Sequence, residues 1–128
     1  MIVPVFSILS TAAPVTAIVG TNAIWKNTLP QAHAAKRAYI TWATVGGSPE
    51  NYLDGVPGMD SGRVQIDCWV GEEVSGGTGA KVCQDLMIAV RNAIEPHAHM
   101  IGTPIDDYEK DTKLYRYMLE FQFWELRS

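Results

Sequence analysis

KLYRYMLEFQFWEL, Lys113 to Leu126, and RVQIDCWV, Arg63 to Val70, are the two stretches that decide how this chain folds. In the first, the odd positions are Tyr115, Tyr117, Leu119, Phe121 and Phe123. The even positions are Arg116, Met118, Glu120, Gln122 and Trp124. Successive side chains of a strand point to opposite faces, so this segment carries one aromatic face and one mostly polar face. The second stretch repeats the pattern, with Val64, Ile66, Cys68 and Val70 against Arg63, Gln65, Asp67 and Trp69. Sheets with one dry and one wetter face are usually antiparallel, with helices over the dry side. The expectation is therefore α+β: a mainly antiparallel sheet of about four strands with helices packed on one face.

Working outward, the main helix is expected from Thr78 to Ile94. Cys83, Leu86, Val90 and Ile94 share a stripe, Thr78 is an N-cap candidate, and Pro96 stops the helix soon after Glu95. Pro4 and Pro14 each suit the first turn of a short helix, about 4–12 and 14–19, and Gly20 closes the second. Short strands are expected at Ile24-Trp25-Lys26 and from Ala38 to Val45, with Thr28 to Lys36 as loop between them. His99 to Tyr108 reads as a strand broken by Gly102 and Pro104, and Asp106 to Thr112 as an acidic turn. The last strand is long enough to imply a bulge or an overhang. Gly71 to Gly79, with Gly76-Gly77 inside it, reads as a connection.

Gly46 to Gly62 is the longest expected loop. It carries Tyr52, Leu53, Val56 and Met59, apolar residues suited to docking rather than to free solvation. Trp69 and Trp124 fall on the polar faces of their strands, where a large apolar ring implies a covering layer or a partner. These six residues are the candidate protein-interface set.

Length fits one domain, 1–128, with enough chain for a real core. Ten basic and fourteen acidic residues leave a net charge of −4 and no basic stripe, which argues against phosphate-driven nucleic-acid binding. An acidic wall is instead suited to letting DNA slide past. Cys68 and Cys83 are too few for a disulfide framework and read as reduced core residues. Residues 2–20 are apolar but lack a basic leader and are interrupted by Pro4 and Pro14, so they read as a structured N-terminus rather than a signal or membrane segment.

The search for chemistry returns little. His97 and His99 would share a strand face, with Asp106 and Asp107 as the nearest further ligands, and this falls short of a metal site. Asp106, Asp107, Glu109 and Asp111 read as solvated charges rather than an acid–base pair. Gly76-Gly77-Thr78-Gly79-Ala80-Lys81 misses the phosphate-loop spacing because Val82 follows Lys81. The aromatic face of the last strand lacks the basic interleaving of a base-stacking platform, so core packing is the better reading. No catalytic, cofactor or metal residue is assigned. The rival reading is a small α+β enzyme with a pocket near Asp106, His97 or Asp67.

The succession "PVTAIVGTNAIW", "AYITWATVGGSP", "RVQIDCWV", "AKVCQDLMIAVRNAIE" and "YRYMLEFQFWEL" resembles the tail terminator (tail completion) family of tailed bacteriophages. The resemblance implies a non-enzymatic structural subunit of a homo-oligomeric ring, typically hexameric. Such a ring caps the head-proximal end of the tail tube, ends its growth and joins it to a head-completion or stopper protein. DNA passes through the lumen without sequence-specific binding, no cofactor or membrane is involved, and the place is the neck of the virion, assembled in the host cytoplasm. The family supplies no catalytic residues to carry over. A different head–tail connector or tube protein is the alternative within the same class.

Overall fold

A computed structural model describes residues 4–20, 23–26, 38–45, 59–74, 77–110 and 113–126. Two short helices, α1 (Val5–Ser10) and α2 (Ala13–Val19), open it. Pro4 sits at the N-cap of α1 and Pro14 in the first turn of α2, where a missing N–H costs nothing. The strands are β1 (Ile24–Lys26), β2 (Ala38–Thr44), β3 (Met59–Gly71), β4 (Glu73–Val74) and β5 (Gly77–Thr78), followed by helix α3 (Gly79–Ile94) and then β6 (Ala98–Glu109) and β7 (Leu114–Leu126).

Five strands form one sheet in the order β1-β2-β3-β7-β6. All its pairings are antiparallel except β1 with β2, which is parallel. The pairing of β3 with β7 is continuous from Met59↔Leu126 to Gly71↔Leu114. It sets Val64 opposite Phe121, Ile66 opposite Leu119 and Cys68 opposite Tyr117, so the two alternating patterns of the sequence share one dry face. Ile40 and Trp42 extend that face onto β2, opposite Cys68 and Ile66.

The helix α3 covers this face. Its Val82, Cys83, Leu86, Met87, Val90 and Ile94 are buried against β3 and β7, and Val5, Leu9 and Val15 of α1 and α2 close the core around it. Phe121, Leu119, Ile66 and Val64 are fully or almost fully buried. Thr78 caps the helix, its Oγ1 accepting from the Lys81 N–H at 3.3 Å, a contact of a kind worth about 1 kcal/mol. Gly79 fixes where the helix meets the sheet. A Cβ there would run into the Gly71 carbonyl oxygen and stand 2.9 Å from the Tyr115 ring, so only glycine admits the close approach.

The sheet differs from the expectation in several places. It has five strands rather than about four. Met59 to Gly62 belongs to β3 and not to the preceding loop, because β7 is long enough to pair with it. Asp106 to Glu109 is strand rather than turn: Asp106 pairs with Tyr117 and Glu109 with Leu114, which leaves only the residues around Lys110 to Lys113 for reversal. The irregularity expected of β7 lies in its partner. Ile101 pairs with Glu120 and Ile105 with Met118, so β6 carries two extra residues, and Gly102 absorbs the kink at φ 68°. The connection before α3 contains a small β4–β5 hairpin. The expected loops at Thr28–Lys36 and Gly46–Gly58 lie outside the described residues.

Candidate interaction surfaces

The second face of the sheet has no helix over it among the described residues. Arg63, Gln65, Asp67 and Trp69 of β3 lie beside Gln122, Glu120, Met118 and Arg116 of β7. Polar groups here pair with one another. Arg63 Nε donates to Glu120 Oε2 at 2.8 Å, and Arg116 Nη2 lies 3.2 Å from Asp67 Oδ2. Gln65 Nε2 donates to both carboxylate oxygens of Asp67. Asp67 is the one charged residue among the described positions that is buried. Arg116 and Asp67 are largely screened from water, so removing either partner would leave an uncompensated charge, whereas the exposed Arg63–Glu120 pair contributes little.

Trp69 sits at one end of this face and is half-buried. Its indole N–H donates to Thr41 Oγ1 at 2.9 Å, its ring stacks on Tyr39 at 6.0 Å, and the Arg116 guanidinium lies 4.6 Å from its centroid. With Ala23, Tyr39 and Leu114 it builds a small cluster outside the main core. Burial raises the Tyr39 hydroxyl above its ordinary pKa. At the bulge of β6, Ile101, Ile105 and Met118 form an apolar dip with Gly102 and Thr103, rimmed by Arg63 and Glu120. Ile105 is 57% exposed there.

A larger groove lies on the helix side. The helix α3 spans β3 and β7, while the outer half of β6 lies one strand further out. The space left is about 720 Å³. Its floor is Tyr115, Tyr117 and Cys83, and its walls are Lys81 and Gln84 on one side and Asp106 and Tyr108 on the other. The Tyr108 and Tyr115 rings meet at 4.7 Å. Tyr108 also donates to Glu72, and that hydrogen bond pushes its hydroxyl up to about 12. Cys83 donates to the Cys68 carbonyl at 3.4 Å, and burial pushes its thiol up to about 12. A thiol held that far from its thiolate is a poor nucleophile.

The residues named for a rival enzyme do not converge. Asp106 lines this groove, Asp67 is on the opposite face of the sheet, and His97 lies in the turn after α3 beside α1. No three metal-ligating side chains come together among the described residues. Of the candidate interface set, Trp69 is on the open face with its ring and N–H already engaged. The Met59 backbone lies in β3 opposite Leu126 and the Trp124 backbone in β7 opposite Ser61, while Tyr52, Leu53 and Val56 lie outside the described residues. Sequence reasoning missed the Ile101–Ile105–Met118 dip and the α3–β6 groove. The first left a faint signal in Met118, an apolar residue at a polar-face position.

Comparison with known proteins bears on what these surfaces serve. The family described as "Tail completion protein gp17" matches residues 3–126. A search of the curated proteins finds no match. Among solved structures, a chain of the "Virion of native gene transfer agent (GTA) particle" superposes with a TM-score of 0.66 at 15% identity, covering 94% of this chain and 90% of that one. At that identity the likeness establishes a shared fold, while the family pattern runs almost from end to end. The chain belongs to the tail completion protein gp17 family and is a structural protein of the bacteriophage virion tail.

Proposed function

We propose that this protein forms a closed homo-oligomeric ring at the head-proximal end of the tail tube, ends tube polymerisation there, and joins the tail to a head-completion protein. The observation that carries this reading is the distribution of its surfaces. One subunit leaves uncovered a sheet face with an apolar dip and, at another place, a groove between helix and edge strand. Two different surfaces on one chain favour head-to-tail contacts, and such contacts close into rings when the rotation allows. A ring whose end matches the tube occupies the docking face of the next tube subunit. Contacts are proposed for Tyr52, Leu53, Val56 and Met59 and for the open-face positions Trp69 and Trp124.

DNA passing through such a ring would meet little to hold it. On the open face Arg63 and Arg116 each face a carboxylate, so neither is left for phosphate, and the net charge is −4. Catalysis has no part in this reading, and no cofactor is assigned.

Electron microscopy of tube protein polymerised with and without this protein tests the proposal. Expected are ring-shaped particles and tubes of limited length carrying extra density at one end. Tubes of unchanged length would contradict it. Rings that stack into long tubes by themselves would favour a tube protein instead. Removing residues 50–56, short of β3, is expected to leave a folded protein that no longer caps.

A further inference from the structure

Besides its two faces the sheet has two edges, and they are built differently. At one edge, β1 is three residues long. At the other, β6 is twelve, about twice the usual strand, and among the described residues β7 is its only strand neighbour. None of its twelve residues is buried. A long exposed edge presents a row of backbone N–H and C=O groups on which another strand can add. Met100, Ile101, Ile105 and Tyr108 give this edge the apolar, strand-forming side chains that favour such addition.

Three features of β6 work against addition. The first is the bulge. Gly102, Thr103 and Pro104 stand against Leu119 alone, between the pairs Ile101↔Glu120 and Ile105↔Met118. Gly102 turns there at φ 68°, so the edge is broken into two short runs that no straight strand follows. The second is Pro104, which has no N–H to offer an incoming strand. The third is charge. Asp106 and Asp107 are both exposed, Asp106 on the helix side with Tyr117 and Asp107 on the open side with Arg116. Copies of β6 laid side by side, parallel and in register, would set these carboxylates directly against their own mates.

We infer that β6 is a guarded edge: its bulge, proline and adjacent aspartates exclude strand addition by further copies of this chain. Contacts with other chains then run through the faces of the sheet and not through this edge. The inference is independent of the ring reading, since it applies to a free subunit as much as to a ring. The bulge also shapes the Ile101–Ile105–Met118 dip, and the test separates the two roles.

Straightening the edge in the full chain provides the test. Deleting Thr103 and Pro104 leaves Gly102 alone against Leu119, keeps every other pair with β7, and keeps each side chain on its face. Gly102→Val is made together with the deletion, to restore a strand-forming residue. The unaltered protein is expected to sediment as discrete species at every concentration. The straightened variant is expected to keep the circular dichroism of the native chain, to gain mass with concentration without a plateau, and to bind thioflavin T. Adding Ile105→Lys, a chemically unrelated guard at an exposed position, is expected to return discrete species. A straightened variant that stays discrete would overturn the inference, and loss of tube capping in that variant would assign the bulge to the dip instead. Assemblies that Ile105→Lys does not disperse would overturn it too. Where the deletion unfolds the chain, hydrogen exchange of the unaltered protein decides. The β6 amides that point away from β7 are expected to exchange equally fast free and on tubes, and their protection on tubes would overturn the inference.

Discussion

On the helix-covered face of the sheet Val64, Ile66, Cys68, Val70 and Phe121 are fully buried, while one residue along, on the other face, Arg63 and Ile105 meet water and Gln65, Met118, Glu120 and Gln122 are only partly covered. The same strands make both. The covered face has its complement within the chain, in α1, α2 and α3. The open face has only its own neighbours, and it meets their demands through ion pairs between β3 and β7 and a stacked tryptophan. The contrast teaches that most of the fold's stability comes from the covered side, while the open side holds fewer of the residues on which folding depends.

That comparison can be broken most severely from the covered side. Phe121→Ala is expected to cost about 3–5 kcal/mol in denaturant unfolding, whereas Glu120→Ala, its neighbour on the open face, should stay within about 0.5 kcal/mol. Similar losses for both would mean that the open face is also core. Next in size is Asp67→Ala, which strips the partly buried Arg116 of its partner and is expected to cost about 1–2 kcal/mol. Adding Arg116→Met should recover most of that loss, since no unpaired charge then remains. Smallest is Trp69→Phe, which keeps the stack on Tyr39 and removes the N–H bond to Thr41, for about 1 kcal/mol or less. If tube capping falls while stability hardly changes in Trp69→Phe, the ring belongs to a contact surface.

Much of the covered face was legible in the sequence because it is built from local periodicity. The alternation in Arg63–Val70 and Lys113–Leu126 fixed both strands and their shared side, and the Cys83–Leu86–Val90–Ile94 stripe with Thr78 before it fixed α3. What was not legible depends on partners distant in sequence. Ile24-Trp25-Lys26 was visible as a short strand, but its parallel pairing with β2 was not. Asp106, Asp107 and Glu109 look like turn residues until β7 pairs with them at a sheet edge, where water still reaches their charges. The β4–β5 hairpin is two residues a side, too short for any period to show.

The interaction surfaces were legible only in outline. Trp69 stood out as an aromatic residue among polar ones, but nothing local announced that Tyr39, Thr41 and Arg116 would engage it. The Ile101–Ile105–Met118 dip needs the two-residue bulge, which brings Ile105 opposite Met118 on the open face. The α3–β6 groove arises from where a helix ends relative to a strand two pairings away from β3, a relation no single segment encodes.

The most direct measurement is hydroxyl-radical footprinting of the protein as separated single subunits and on capped tubes. Protection is predicted at Met118 and Ile105 on the open face and at Tyr108 and Tyr117 in the groove, with the buried Phe121 unreactive in both states. Equal reactivity of those four residues in the two states would contradict the claim that the uncovered surfaces of this fold are completed by other protein chains.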